Sequence, residues 1–257
     1  MDRRNFLLKS TSFLLGSFFG LSAFSKAFAL QEPEKSSPFQ PCIALIIDDI
    51  GVAYCHARPF LELGIPITFA VLPRLQKTHS LALEIHNQGH EIMLHQPMEP
   101  FQSDIDPGPG ALYVGDGINR IAETMEENIS EVPFASGVNN HMGSRFTSCQ
   151  REMREVLEVL KCKHLFFVDS LTTNRSKGYR TAKTLEITTA RRDVFLDNRH
   201  EESAILSQLH KLEKIAKKYG HAIGIGHPFP ETAGALKTFL DQDHPPGLSF
   251  VYMSQVM

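Results

Sequence analysis

The sequence predicts an α/β fold: a parallel sheet of seven or eight strand–helix units that closes into a barrel. Three observations carry this expectation. Short apolar runs of strand length recur along most of the chain, segments of helical period lie between many of them, and glycines fall where helices should stop. An open doubly wound sheet is the alternative arrangement of the same units.

In chain order the strand candidates are residues 43–47, 67–72, 91–94, 137–140, 165–168, 185–189, 222–225 and 248–252. The first, "IALII", is apolar throughout, as expected of a strand buried on both faces. Between the strands, Ile118, Ile121, Met125 and Ile129 share a helical face. Met153, Val156, Leu157 and Leu160 form a second face, and Ile205, Leu209, Leu212 and Ala216 a third. Gly64, Gly89 and Gly220 each stand between a helix end and the next strand, where a left-handed cap belongs.

The polar residues that break this pattern are the informative ones. Asp48 and Asp49 follow the first strand, His95 the third, His141 the fourth, Asp169 the fifth and His227 the seventh. In a parallel barrel the C-terminal ends of the strands form one rim, where active sites are built. One such residue would be unremarkable, but six falling there point to a site. Asp48 beside Asp49 needs a particular reason, because like charges side by side repel unless a cation or a shared proton is near. Asp49, His95 and His141 make a carboxylate and two imidazoles, a donor set suited to a divalent ion such as zinc, and such an ion removes the repulsion. Glu99, four residues beyond His95, is a further candidate ligand, though a surface role suits it equally. Asn140, with Asn139, suits hydrogen bonds that orient the ligands. His90, at the turn into a strand, reads as a structural histidine. The Gly-rich stretch at residues 104–117 lacks the Lys-Ser/Thr of a phosphate loop and reads as a surface loop bordering the rim. There is no Gly-x-Ser-x-Gly elbow and no dinucleotide fingerprint, which disfavours serine hydrolases and dehydrogenases.

The first residues read as an address and not as fold. Arg3-Arg4 precede a short Ser/Gly-interrupted apolar run that ends in Ala27-Phe28-Ala29. This is the pattern of a twin-arginine signal peptide over residues 1–29, followed by a Pro/Ser-containing tether at 30–41 and a catalytic domain at 42–257. The expectation is an exported protein, periplasmic or otherwise extracytoplasmic, and not an integral membrane protein after cleavage. Removing residues 1–29 would take four basic and one acidic residue, moving the net charge from −3 to −6. Nothing in that balance invites nucleic acid. The four cysteines, Cys42, Cys55, Cys149 and Cys162, lack zinc-ribbon spacing; an exported protein could pair them, and buried free thiols are as good a reading.

The ordered segments "IIDDIG", "GHEIMLHQPMEP", "NNHMGSRF", "FFVDS" and "IGIGHP" resemble the divergent polysaccharide deacetylase family, relatives of the NodB-homology superfamily, over about residues 42–253. The resemblance implies a distorted (β/α) barrel and metal-dependent removal of acetyl groups from a glycan. By position it makes Asp48 the catalytic base, Asp49 a metal ligand, His95 the first histidine of the His-x-x-x-His motif, and His227 the acid for the leaving group. Two departures stand out. Glu99 occupies the place of the second metal histidine, and Asn139-Asn140-His141-Met142-Gly143 replaces the usual Arg-Pro-Pro-Tyr region. His141 is therefore read as supplying the missing imidazole, with Glu99, Asn140 and Asp169 as supporting or alternative ligands. The expected function is a zinc-type hydrolase acting on a cell-envelope glycan. The alternative is a non-catalytic glycan-binding or scaffolding protein that keeps the same fold.

Overall fold

The computed structural model describes residues 40–242 and 247–257. The expected signal peptide and most of the tether lie outside the described residues. Nine strands belong to one sheet, and every ladder in it is parallel. The strands are β1 (Cys42–Ile50), β2 (Thr68–Val71), β3 (Glu91–Met98), β4 (Ala135–Met142), β5 (Phe166–Asp169), β6 (Thr189–Arg191), β7 (Val194–Phe195), β8 (His221–Gly226) and β9 (Ser249–Val251). Helices α1 (Tyr54–Leu61), α2 (Thr78–Asn87), α3 (Ile118–Glu131), α4 (Gln150–Lys163), α5 (Gly178–Thr184), α6 (Glu202–Tyr219) and α7 (Pro230–Leu240) alternate with them.

Sheet order is β6-β5-β4-β3-β2-β1-β8-β7, with β9 beside the first residues of β1. The curled sheet is a distorted barrel that, among the described residues, no ladder closes: β6 and β7 are its two ends, although only two residues separate them in sequence.

Side-chain parity organises the interior. Along β1, Ile43, Leu45 and Ile47 join the large core that includes helix residues such as Phe60, Ile85 and Leu157. Ala44 and Ile46 face the opposite way, into a smaller core of strand residues with Ala70, Met93, Val168 and Ile225. Successive strand side chains alternate between faces, so each strand has an outward and an inward series. The inward series fills the barrel lower down and supplies the polar residues at its top.

At one inward position the space is already taken. Gly137 pairs with Phe166 across the β4–β5 ladder, and a β-carbon at 137 would fall 2.2 Å from the Phe166 ring. Gly137→Val should destabilise the fold by about 1–3 kcal/mol, the usual cost of overpacking a core. The check is a lower urea midpoint with an unchanged slope; an unchanged midpoint would mean that the ring moves aside freely.

Two sequence expectations shift. The run at 185–189 is not a strand over its length. Leu185 caps α5, Glu186 is left-handed with φ 58°, and strand pairing begins only at Thr189. Leu185 and Ile187 are apolar because they pack on the helix side of the sheet. Ile118 begins α3 and is exposed, so the buried stripe of that helix starts at Ile121. Gly64, Gly89 and Gly220 all have positive φ, as their positions after helices require.

Candidate active site

The inward series of β1 continues from Ala44 and Ile46 to Asp48, which is 3% exposed. By the same alternation Asp49 would face the helices. Two features bring it to the rim instead. The β1–β2 register breaks between Ile47 and Ile50, and Asp49 adopts a left-handed backbone with φ 58°. A bulge at a strand end re-aims a side chain, and Asp tolerates the left-handed region better than most residues. Both carboxylates therefore reach the same imidazole: His95 Nε2 lies 3.6 Å from Asp48 Oδ2 and 3.2 Å from Asp49 Oδ1.

His95 is on the inward series of β3 with Met93, and Asn139 and His141 are on that of β4. The ladder pairs His95 with Asn139. The Asn139 amide then fixes the tautomer of the histidine. Its Nδ2 donates to Asp48 Oδ1 at 2.8 Å, so its Oδ1 faces His95 Nδ1, 2.7 Å away. An amide oxygen only accepts, hence Nδ1 carries the hydrogen and the neutral ring turns the Nε2 lone pair inward. That lone pair meets His141 Nδ1 at 3.1 Å, and His141 Nδ1 lies 2.9 Å from Asp49 Oδ1.

Asp49, His95 and His141 thus present three ligating atoms within 4.8 Å of one another. Asp49 Oδ1 is buried and accepts no hydrogen bond. A single proton on His141 Nδ1 faces two acceptors, His95 Nε2 and Asp49 Oδ1, and can satisfy only one of them, whereas a divalent cation would satisfy all three donors at once. One carboxylate and two imidazoles are also the donor chemistry such ions take. The site fits a metal.

The electrostatics divide the two aspartates. Burial alone would raise the Asp49 carboxyl, but the close ring nitrogens of His141 and His95, and their charge, overcome it and hold the group far below the usual carboxylate range. For Asp48 burial wins: its carboxyl is raised, with the neighbouring Asp49 adding to the effect, while His95, His227 and the Asn139 amide oppose it. A raised carboxylate beside a cation site suits a proton acceptor, and a depressed one suits a ligand.

His227 follows the inward residues Ile223 and Ile225 of β8. Its Nε2 is 3.9 Å from Asp49 Oδ2, and its Nδ1 lies 2.9 Å from Asp197 Oδ1. Asp197 is itself fully engaged, because the His227 backbone N–H and the Thr232 hydroxyl both donate to its Oδ2. Burial would lower the His227 imidazole. The Asp197 hydrogen bond and the charges of Asp48, Asp197 and Asp49 outweigh that and push it up to about 9.

Three residues expected as supporting or alternative ligands lie outside the cluster of Asp49, His95 and His141. Asp169 is on the outward series of β5 beside Phe167, so it faces the helices. Its oxygens accept from the Leu171 and Tyr179 backbone N–H groups and the Ser176 hydroxyl, anchoring the loop before α5. Asn140 is likewise outward. It donates to the Met142 carbonyl and accepts from the Ser170 N–H, tying two rim loops together. Glu99 pairs with Arg145 at 2.6 Å and accepts from the Val114 N–H at 2.8 Å, clamping the Gly-rich 104–117 segment to the rim. Glu99→Gln should accordingly leave metal content at the wild-type level in elemental analysis. A loss of bound ion would return Glu99 to the ligand set.

Asp197 was not singled out by sequence reasoning. Its signal was present, since "VFLD" is an apolar run ending in Asp like the others. Only two of its residues pair as β7, too few to stand out as a strand. Arg192 was also missed; its half-buried guanidinium donates to the Ser170 and Leu171 carbonyls and stacks on Phe195, 4.8 Å from the ring centre. All four cysteines are free thiols.

Comparison with known proteins places the chain. The family model for divergent polysaccharide deacetylases matches residues 45–257. The uncharacterized protein YibQ of Escherichia coli K12 is 31% identical over 235 residues, covering 91% of this chain and 72% of that one. The crystal structure of uncharacterized protein ATU2773 from Agrobacterium tumefaciens C58 aligns with a TM-score of 0.80 at 25% identity, covering 86% of this chain and 91% of the other. The Bc1960 peptidoglycan N-acetylglucosamine deacetylase aligns with a TM-score of 0.53 at 14% identity over 84% of this chain and 87% of its own, a likeness of fold.

Proposed function

Because the chain belongs to the divergent polysaccharide deacetylase family, we propose that it is a metal-dependent hydrolase that removes acetyl groups from a cell-envelope glycan. The observation that carries this reading is the flanking of one cation-shaped cluster, Asp49, His95 and His141, by a raised carboxylate on one side and a raised imidazole on the other. A glycan-binding protein has no use for such an acid–base pair.

A divalent ion, zinc by donor preference, would supply a Lewis acid for the acyl oxygen and for the attacking water. The remaining work falls to the chain. Asp48, held by Asn139, takes a proton from the water as it adds to the acyl carbon. His227 enters protonated, because Asp197 fixes its Nδ1–H and stabilises the imidazolium. It gives a proton from Nε2 to the departing amine or alcohol, and acetate is the other product. Asn139 couples base and ligand, since one amide orients both Asp48 and His95.

The same reading includes export along the twin-arginine route, supported by Arg3-Arg4 and the Ala27-Phe28-Ala29 end of the apolar run. Among the described residues no helix is long and apolar enough to cross a membrane.

Acetate release from acetylated peptidoglycan fragments and chitooligosaccharides, measured beside calorimetric binding of the same glycans, tests the reading. Release supports the hydrolase. Binding without release in metal-loaded protein would hand the site to the scaffolding alternative.

A further inference from the structure

Two cavities meet at Asp49, His141 and Phe229, which line both. One, of about 460 Å³, also holds Asp48, Asp197, His200 and His227 and is the more polar of the two. The other, of about 610 Å³, lies between α1 and the loop after β8. Its walls are mainly apolar, with Val52, Cys55, Pro59, Phe60, Leu72 and the Phe229 ring beside the imidazole of His56. Val52 is 58% exposed at its edge, a large apolar side chain left in water beside the reacting centre.

The hydrolase reading above, on which this inference rests, gives these two cavities different tasks. An acyl carbon has three substituents. Its oxygen faces the cluster of Asp49, His95 and His141, and its leaving group faces His227 and so enters the polar cavity, which suits a sugar. The third substituent, the acyl chain, is left with the apolar cavity. A methyl group is about the size of a water molecule, roughly 30 Å³. It would occupy a small part of that 610 Å³ space. We infer that the acyl groups this site removes extend beyond acetyl to longer aliphatic chains, lying along Val52, Pro59 and Leu72. The reaction remains a hydrolysis. Water oxygen bonds to the acyl carbon, the carbon–nitrogen or carbon–oxygen bond breaks, the leaving amine or alcohol takes a proton, and the chain departs as its carboxylate.

The test uses the metal-loaded full chain and the 4-nitrophenyl esters of acetate, butyrate, hexanoate and octanoate, each rate corrected for spontaneous hydrolysis. Burial of each added methylene should raise kcat/KM about fourfold until the cavity is full. Val52→Asp, at an exposed position that tolerates a charge, should flatten the series. Calorimetry should show hexanoate binding more tightly than acetate to the wild type and not to Val52→Asp. Chelator-sensitive cleavage of the acetate ester with no gain for longer chains would overturn the inference and leave the hydrolase reading standing. A dimer in sedimentation that Val52→Asp dissolves, again without chain-length preference, would give the groove to a second copy of the chain and overturn it as well. Absence of chelator-sensitive cleavage of every ester would remove the hydrolase reading and this inference with it.

Discussion

Asp49→Asn will purify without bound metal and without acyl-releasing activity, whereas Asp48→Asn will keep its metal and lose turnover. The two residues are neighbours in sequence and share His95, yet their surroundings separate them. Asp49 Oδ1 sits among two ring nitrogens and accepts no hydrogen bond, so its negative charge is what a cation would bind. An amide there is a far weaker ligand. Asp48 gives its Oδ1 to the Asn139 amide, stands farther from His95 than Asp49 does, and is raised by burial. Asparagine keeps its shape but accepts no proton, and loss of a general base typically costs about 100- to 10,000-fold in rate. Elemental analysis and product release on both variants beside wild type decide the matter. If Asp48→Asn loses metal as readily as Asp49→Asn, both are ligands and the division between them is wrong.

The second large effect concerns His227 and Asp197. In metal-free protein the His227 imidazole should titrate near 9, and Asp197→Asn should bring it down toward the ordinary value of about 6.5. Because the imidazole acts as an acid, activity is full below its pKa and falls as pH rises through it. The alkaline limb of kcat/KM should therefore move to lower pH in Asp197→Asn, with a lower plateau, since the ring also loses the partner that orients it. His227→Ala should remove the limb altogether and cost about 100- to 10,000-fold. Ring titration by NMR together with the pH–rate profiles checks this. An unchanged limb in Asp197→Asn would mean that His227 is not the acid.

Much of this site could be read from the chain because strand ends are legible. An apolar run followed by Asp or His marks a rim position, and Asp48, His95, His141 and His227 were found that way. The rim alone does not say which face a residue takes. Parity does: Asp169 follows Val168 and lies outward with Phe167, while His141 shares its face with Asn139. The Asp49 bulge obeys neither rule, because its left-handed backbone depends on how β1 parts from β2, a pairing between distant segments. Asp197 was hidden for a related reason. Strand β7 is only two residues long, and its pairing with β8 makes it a strand where its own sequence does not. Glu99 illustrates the opposite case: its position matched a ligand's, but its partners Arg145 and Val114 come from loops whose course the sequence did not reveal.

The central claim is that Asp49, His95 and His141 hold an ion on which glycan deacylation depends. The most direct measurement is product release from acylated peptidoglycan fragments and chitooligosaccharides by the loaded, chelated and reloaded protein, with metal content followed in the same samples. The account predicts release that disappears with the chelated ion and returns in proportion to one ion regained per chain. Release that survives complete removal of the metal, or its absence from fully loaded protein with every glycan, would contradict it.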